Sequence, residues 1–199
     1  MNRKFKIGLL SICSLFIWVS HNIWAASLGT GTPTIYKTAL TKFEISNDGG
    51  ATYITLFTGT SDYMDIASAN AGQAAGNFFS GLSIPDGTYT HVRVTPSGTF
   101  KMRGTVSIGG TVYYTKSDGT FSNSSADLAE ATITVPVTLT ANVQALSTPI
   151  TVKNGVPNHK VRVSFNVSNT LELWDTSGPP DANPDQFYPA APTVTLEVK

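Results

Sequence analysis

The 199-residue chain carries 13 basic and 13 acidic side chains. Its cations are scattered, which excludes the basic stripe that nucleic-acid binding requires. A single cysteine excludes an intrachain disulfide. Only 13% of residues are charged, against 27 threonines, 17 glycines and 11 prolines. That balance disfavours long helices and favours short strands with polar outer faces.

Taken in chain order, the first segment is a leader. Arg3, Lys4 and Lys6 precede an apolar run from Ile7 to Val19, and small residues follow at Ala25 and Ala26. This is the three-part layout of a secretory signal peptide over residues 1–25, cut after Ala25. The run is shorter than the roughly 20 residues a membrane span needs. Ile12 stands where a lipoprotein anchor at Cys13 requires a small residue, so lipidation is disfavoured. Removing the leader takes Cys13 and three basic residues but no acid, which leaves a net charge of −3. The expected destination is the periplasm, the cell surface or the medium of a bacterium.

Residues 26–33 read as a flexible leader rich in small side chains, and 34–199 as one β domain. Ala39, Phe43 and Ile45 share one face of a first strand. Asn47-Asp48-Gly49-Gly50 supplies a hairpin turn, because these residues tolerate positive φ. The chain returns over Tyr53–Phe57 and reaches a short strand at Tyr63–Ile66. The Ala/Gly-rich stretch 67–76 is the one place for a short helix. Ile84-Pro85-Asp86-Gly87 is a turn.

Next, Pro96-Ser97-Gly98 is expected to close a hairpin, with Val94 near Phe100 and Val92 near Met102. Its other face would then gather His91, Arg93, Lys101 and Arg103. Val106 and Ile108 lead through Gly109-Gly110 into Val112–Thr115. Ile133, Val135, Val137 and Leu139 alternate with threonines, and Pro136 marks that strand as an edge. Ile150 and Val152 form a shorter strand. The longest alternation runs from Val161 through Val163, Phe165 and Val167 to Leu171 and Leu173. A Pro- and Asp-rich loop spans 175–192, and Val194, Leu196 and Val198 close the chain. The expected fold is all-β: one antiparallel β-sandwich of about nine or ten strands, transthyretin-like or Ig-like, behind a cleaved signal peptide.

The segment Leu82-Ser83-Ile84-Pro85-Asp86-Gly87-Thr88-Tyr89-Thr90-His91-Val92-Arg93-Val94 resembles the aliphatic-Pro-x-Gly-x-Tyr-x-x-aliphatic-Arg stretch of secreted bacterial transthyretin-like, or prealbumin-like, sandwiches. Gly49-Gly50 followed by Tyr53-Ile54-Thr55-Leu56 resembles a hairpin found upstream in some of those families. The likeness covers residues 40–108. It implies a fold and export, and no catalytic residues. Within it, Pro85 and Gly87 would set the turn, and Tyr89 would cap an end of the sandwich.

Three constellations are candidates for function. His91, Arg93, Lys101 and Arg103 form a cationic patch suited to an anionic polysaccharide, since clustered guanidinium groups recognise carboxylate and sulfate. Asp181, Asn183 and Asp185 repeat the oxygen-ligand alternation of a Ca²⁺ loop. Gln186 stands where an EF-hand needs glycine, and Pro192 where it needs glutamate. Trp174, Phe187 and Tyr188 flank that loop, with planar rings able to stack on sugars. The bland readings are a solvated sheet face, a Pro-stiffened loop, and aromatics that pin the loop. Two histidines beyond the leader, His91 and His159, suggest no zinc site, and no nucleophile elbow or phosphate loop is present.

The leading expectation is a non-enzymatic exported module that binds a glycan, a surface or an envelope protein. The alternative is a fibre subunit, in which the leader Ser27–Pro33 adds to a neighbour's edge near Pro136. A third is a hydrolase with an unrecognised carboxylate pair.

Overall fold

The structure, a computed structural model, describes residues 26–68, 81–135, 138–177, 181 and 183–199. The expected leader 1–25, most of the expected helix 67–76, and Pro136 lie outside them.

The all-β expectation holds, but the single sandwich of nine or ten strands does not. The described residues form seventeen strands in five sheets, with one 3₁₀ turn at Ser125–Asp127. Every pairing is antiparallel. The physical reason is that runs read as one strand change sheets midway.

Two of the sheets show how. Strands β2 (Ile35–Thr38), β5 (Met64–Asp65), β7 (Thr99–Arg103) and β11 (Ala131–Thr134) form one, in the order β11-β7-β2-β5. Strands β3 (Leu40–Ser46), β4 (Ile54–Thr58), β6 (Gly87–Pro96), β12 (Asn142–Lys153) and β13 (Val156–Pro157) form the other, in the order β13-β12-β6-β3-β4. The orders match because β2 continues into β3, β6 into β7, and β4 leads to β5. Hydrogen bonds stitch the junction along its width. Ser97 N–H donates to Ala39 O at 2.8 Å, Val135 N–H to Gly98 O at 2.9 Å, and Ser61 N–H to Leu40 O at 2.9 Å. The two sheets therefore adjoin as a core half and a flank half of one creased surface, with the chain passing between them at Ala39, Ser97–Gly98 and Gly59–Ser61.

This overturns the expected hairpin at Pro96-Ser97-Gly98. β6 pairs with β3 and β12, whereas β7 pairs with β2 and β11. Val94 faces Phe43 and Asn142, and Phe100 faces Ile133. The hairpins read at Asn47–Gly50 and Gly109-Gly110 do form, joining β3 to β4 and β8 (Thr105–Ile108) to β9 (Thr111–Thr115).

The stretch 26–31, expected to be a flexible leader, is strand β1 (Ala26–Gly31), paired with β15 (Leu171–Asp175) through a bulge at Ser27/Gly29. It also crosses β8, and glycine makes that crossing possible. A Cβ on Gly31 would lie 1.9 Å from Thr105 O, so any side chain there would push the strands apart. Gly104 is similar, because its Cβ would meet Pro33 Cα and Leu171 Cδ2 at 3.0 Å.

β15 also pairs with β16 (Gln186–Pro189), and β9 with β10 (Phe121–Ser122). The expected long alternation 161–173 breaks at Asn169, whose φ of 58° reverses the chain. Asparagine tolerates that region better than most side chains. Thr170 closes the turn by donating N–H and Oγ1 to Val167 O. β14 (Val161–Asn166) consequently leaves β15 and pairs with β17 (Thr193–Val198) as a two-stranded ribbon.

The main core lies under the core half, where Tyr36, Phe100, Met102, Ile133, Leu171, Leu173 and Phe187 are buried together. A smaller cluster of Ile45, Tyr89 and Val152 lies under the flank half. Tyr89, buried in that cluster, donates its OH to Pro85 O at 2.8 Å.

Candidate functional site

The wet face of the creased surface is built by alternation. Even residues of the run 91–103 point inward at Val92, Phe100 and Met102. His91, Arg93, Lys101 and Arg103 therefore share the opposite side. They do not form a compact patch. β6 and β7 run on rather than fold back, so Arg93 and Lys101 stand up to about 26 Å apart along the chain. The four cations form a line.

Neighbouring strands complete that line. On the flank half, Glu44 is directly opposite Arg93. Its carboxylate is 2% exposed and receives a two-pronged Arg93 guanidinium, Nε to Oε2 at 2.6 Å and Nη2 to Oε1 at 2.8 Å. Lys42 Nζ lies 2.7 Å from Oε1, and Thr55 Oγ1 donates to the same oxygen at 3.2 Å. The Arg93 hydrogen bonds, with help from Lys42, hold the Glu44 carboxyl down at about 2. Glu44 in turn raises the Arg93 pKa, chiefly through the same bonds. The guanidinium also lies over the Tyr53 ring, 3.8 Å from its centroid. Tyr53 arrives on the hairpin after Asp48, which accepts from Thr52 N–H and Oγ1 and from Ser46 Oγ. Those bonds depress the Asp48 pKa. Beside this group, His91 Nδ1 is 3.0 Å from Thr90 Oγ1, and Val143 and Ala145 are exposed across from Arg93 and His91.

On the core half, Lys101 Nζ lies over the Tyr63 ring, 4.9 Å from its centroid. Lys37 is directly opposite Lys101 and pairs with Glu130 at 2.5 Å. Arg103 faces Ile35, and its carbonyl accepts from Thr34 N–H and Oγ1. Two cation–ring pairs thus stand on one face, and Tyr63 remains 36% exposed. Each pair contributes about 0.5–1 kcal/mol of attraction at such sites. More to the point, each presents a flat ring beside a fixed positive charge. Sequence reading missed Tyr53, Tyr63, Lys42 and Lys37, because their place on this face follows from strand partners and hairpin paths rather than spacing.

The aromatic group near the Asp loop is placed otherwise. Phe187 is 0% exposed and packs edge-on to Phe121, so its ring offers solvent no face. Tyr188 is buried edge-on to Trp174. Trp174 is half-buried and donates Nε1–H to Glu172 Oε2 at 2.7 Å.

The Asp loop spends its oxygens on its own backbone. Asp185 Oδ2 accepts from Thr176 N–H, Ser177 N–H and Thr176 Oγ1. Asp175 is fully buried and accepts from Ser177 N–H, Ser177 Oγ and Asp181 N–H. Asp181 Oδ1 accepts from Asn183 N–H. Asp175 and Asp185 thus converge on Ser177 N–H, an arrangement that braces the loop against β15. Among the described residues no group of three or more His, Cys, Asp or Glu is arranged to hold a metal ion. No helix among them is long and apolar enough to cross a membrane.

No family model matches the chain, and neither a curated protein nor a solved structure does. The transthyretin-like resemblance over residues 40–108 therefore rests on its short motif alone, and what stands is an all-β domain.

Proposed function

We propose that this chain is an exported, non-enzymatic interaction module of a bacterial envelope or exterior, and that it binds an extended anionic polysaccharide along the wet face of β6–β7. The observation that carries this reading is the pair of cation–ring contacts, Arg93 with Tyr53 and Lys101 with Tyr63, on one side of a single strand run. A linear polymer matches a line of sites better than a pocket ligand would. Rings stack on sugar faces while the cations meet carboxylate or sulfate groups. The leader-like first 25 residues support export.

The test is retention on heparin and alginate columns at low salt. The protein is retained, and Tyr63→Ala and Lys101→Gln each shift elution to markedly lower salt. No retention of the wild type, or elution unchanged by both substitutions, removes this reading. The fibre alternative meets an obstacle in β1, since residues 26–31 already pair with β15 and would have to detach before joining a neighbour.

A further inference from the structure

We propose that the chain forms a two-fold dimer by antiparallel pairing of β14 with β14 of a second copy, in register about Val163. The ribbon β14–β17 ends in a reciprocal bond pair, Lys160 N–H to Lys199 O and Lys199 N–H to Lys160 O, both 2.8 Å. In an antiparallel ladder such bonded pairs alternate along the strand. Arg162, Ser164 and Asn166 therefore direct their backbone groups toward β17. Val161, Val163 and Phe165 direct theirs to the outer edge, where they meet no partner among the described residues.

Six of the nine other outer strands among the described residues are blunted; β8, β11 and β17 are not. β13 contains Pro157, β16 ends at Pro189, β1 and β4 pair through bulges, and β5 and β10 are two residues long. Protein sheets use such devices to prevent edge association. β14 has none of them: its six pairs with β17 run without a register shift. Its apolar side is also open, with Val161 38% and Val163 45% exposed. A two-stranded sheet is marginal by itself, and further strands stabilise it.

The strand is complementary to itself. Pairing about Val163 sets Val163 against its own copy, Val161 against Phe165, and Arg162 against Ser164. No like charges are opposed, and every apolar side chain stays on one face. Pairing about Arg162 would oppose two guanidinium groups. Pairing about Ser164 would require Val167 O, which Thr170 already occupies. The dimer joins two ribbons into a four-stranded sheet and closes, because an isologous contact leaves no free copy of itself.

Disulfide trapping tests the register. In a chain carrying Cys13→Ser, Val163→Cys places two sulfurs across the two-fold, where Cα separations near 5.5 Å suit a disulfide. Ser164→Cys on the same strand does not. On mild oxidation, Val163→Cys yields a covalent dimer at least tenfold faster than Ser164→Cys, with thermal melting of both variants unchanged. Sedimentation of the unmodified chain shows concentration-dependent dimer between about 1 μM and 1 mM. Val163→Lys abolishes that dimer and Val163→Thr keeps it. A monomer throughout, equal crosslinking at both positions, or a dimer that survives Val163→Lys overturns the proposal. None of these outcomes bears on polysaccharide retention, which uses a different face.

Discussion

The two halves of the creased surface share chain segments, strand order and alternation, yet they are held by different means. Beneath the core half lies the large apolar cluster with Tyr36, Met102 and Leu171. Beneath the flank half, three buried side chains and their partly buried neighbours form a smaller cluster, and on its outer surface the Lys42–Glu44–Arg93 group ties β3 to β6. One half relies on burial and the other adds charge, so they should fail under different conditions.

The largest effect is expected from the core half. Met102→Ala removes a fully buried side chain and should cost about 2–5 kcal/mol. It should lower the urea midpoint of the whole protein at any pH. Val152→Ala beneath the flank half should cost about 1.5–2.5 kcal/mol. Equal losses would erase the asymmetry.

Arg93→Ala comes next. It leaves the buried Glu44 carboxylate with Lys42 and Thr55 only, at about 2–3 kcal/mol, below the range for a fully buried pair because Arg93 is partly wet. Arg93→Lys keeps the charge but loses the fork, and should fall between.

Acid sharpens the contrast. Glu44 is held at about 2, below its usual 4.5. A depressed carboxyl stabilises the fold above its unfolded pKa and loses that contribution as pH falls through its folded one. Wild type should therefore exceed Glu44→Gln by up to roughly 3 kcal/mol near neutrality. The gap should close between about pH 4.5 and about 2, followed by urea melts in parallel. A constant gap would mean that the ion group is not what acid dissolves. The smallest effect is Thr88→Ala, which breaks the 3.0 Å Thr88–Thr151 hydroxyl contact on the flank half. It should cost about 0.2–1 kcal/mol by thermal melting.

The sequence disclosed faces better than partners. Alternation places Val92, Phe100 and Met102 inward and Arg93 and Lys101 outward, and the structure agrees. Period-two alternation is the same whether a strand turns back at Ser97-Gly98 or runs on through a crease, so the hairpin inferred there did not survive. The turn at Asn169 is not legible in that alternation, because it depends on Thr170 and Thr32 meeting Val167 and Asn169. The two tyrosines of the cation–ring pairs were illegible for the same reason. Their place depends on which strands neighbour β6 and β7, and that is set by contacts far apart in the chain.

The crease has a consequence for length variation. One residue inserted between Val92 and Val94 would turn every later side chain of that strand inside out, exposing apolar groups and burying arginine. The same insertion beside Ser97, where partners already change, would be absorbed as a bulge. Gains and losses of single residues in this chain should collect at positions 39, 59–61 and 97–98, leaving the flanking strands at constant length.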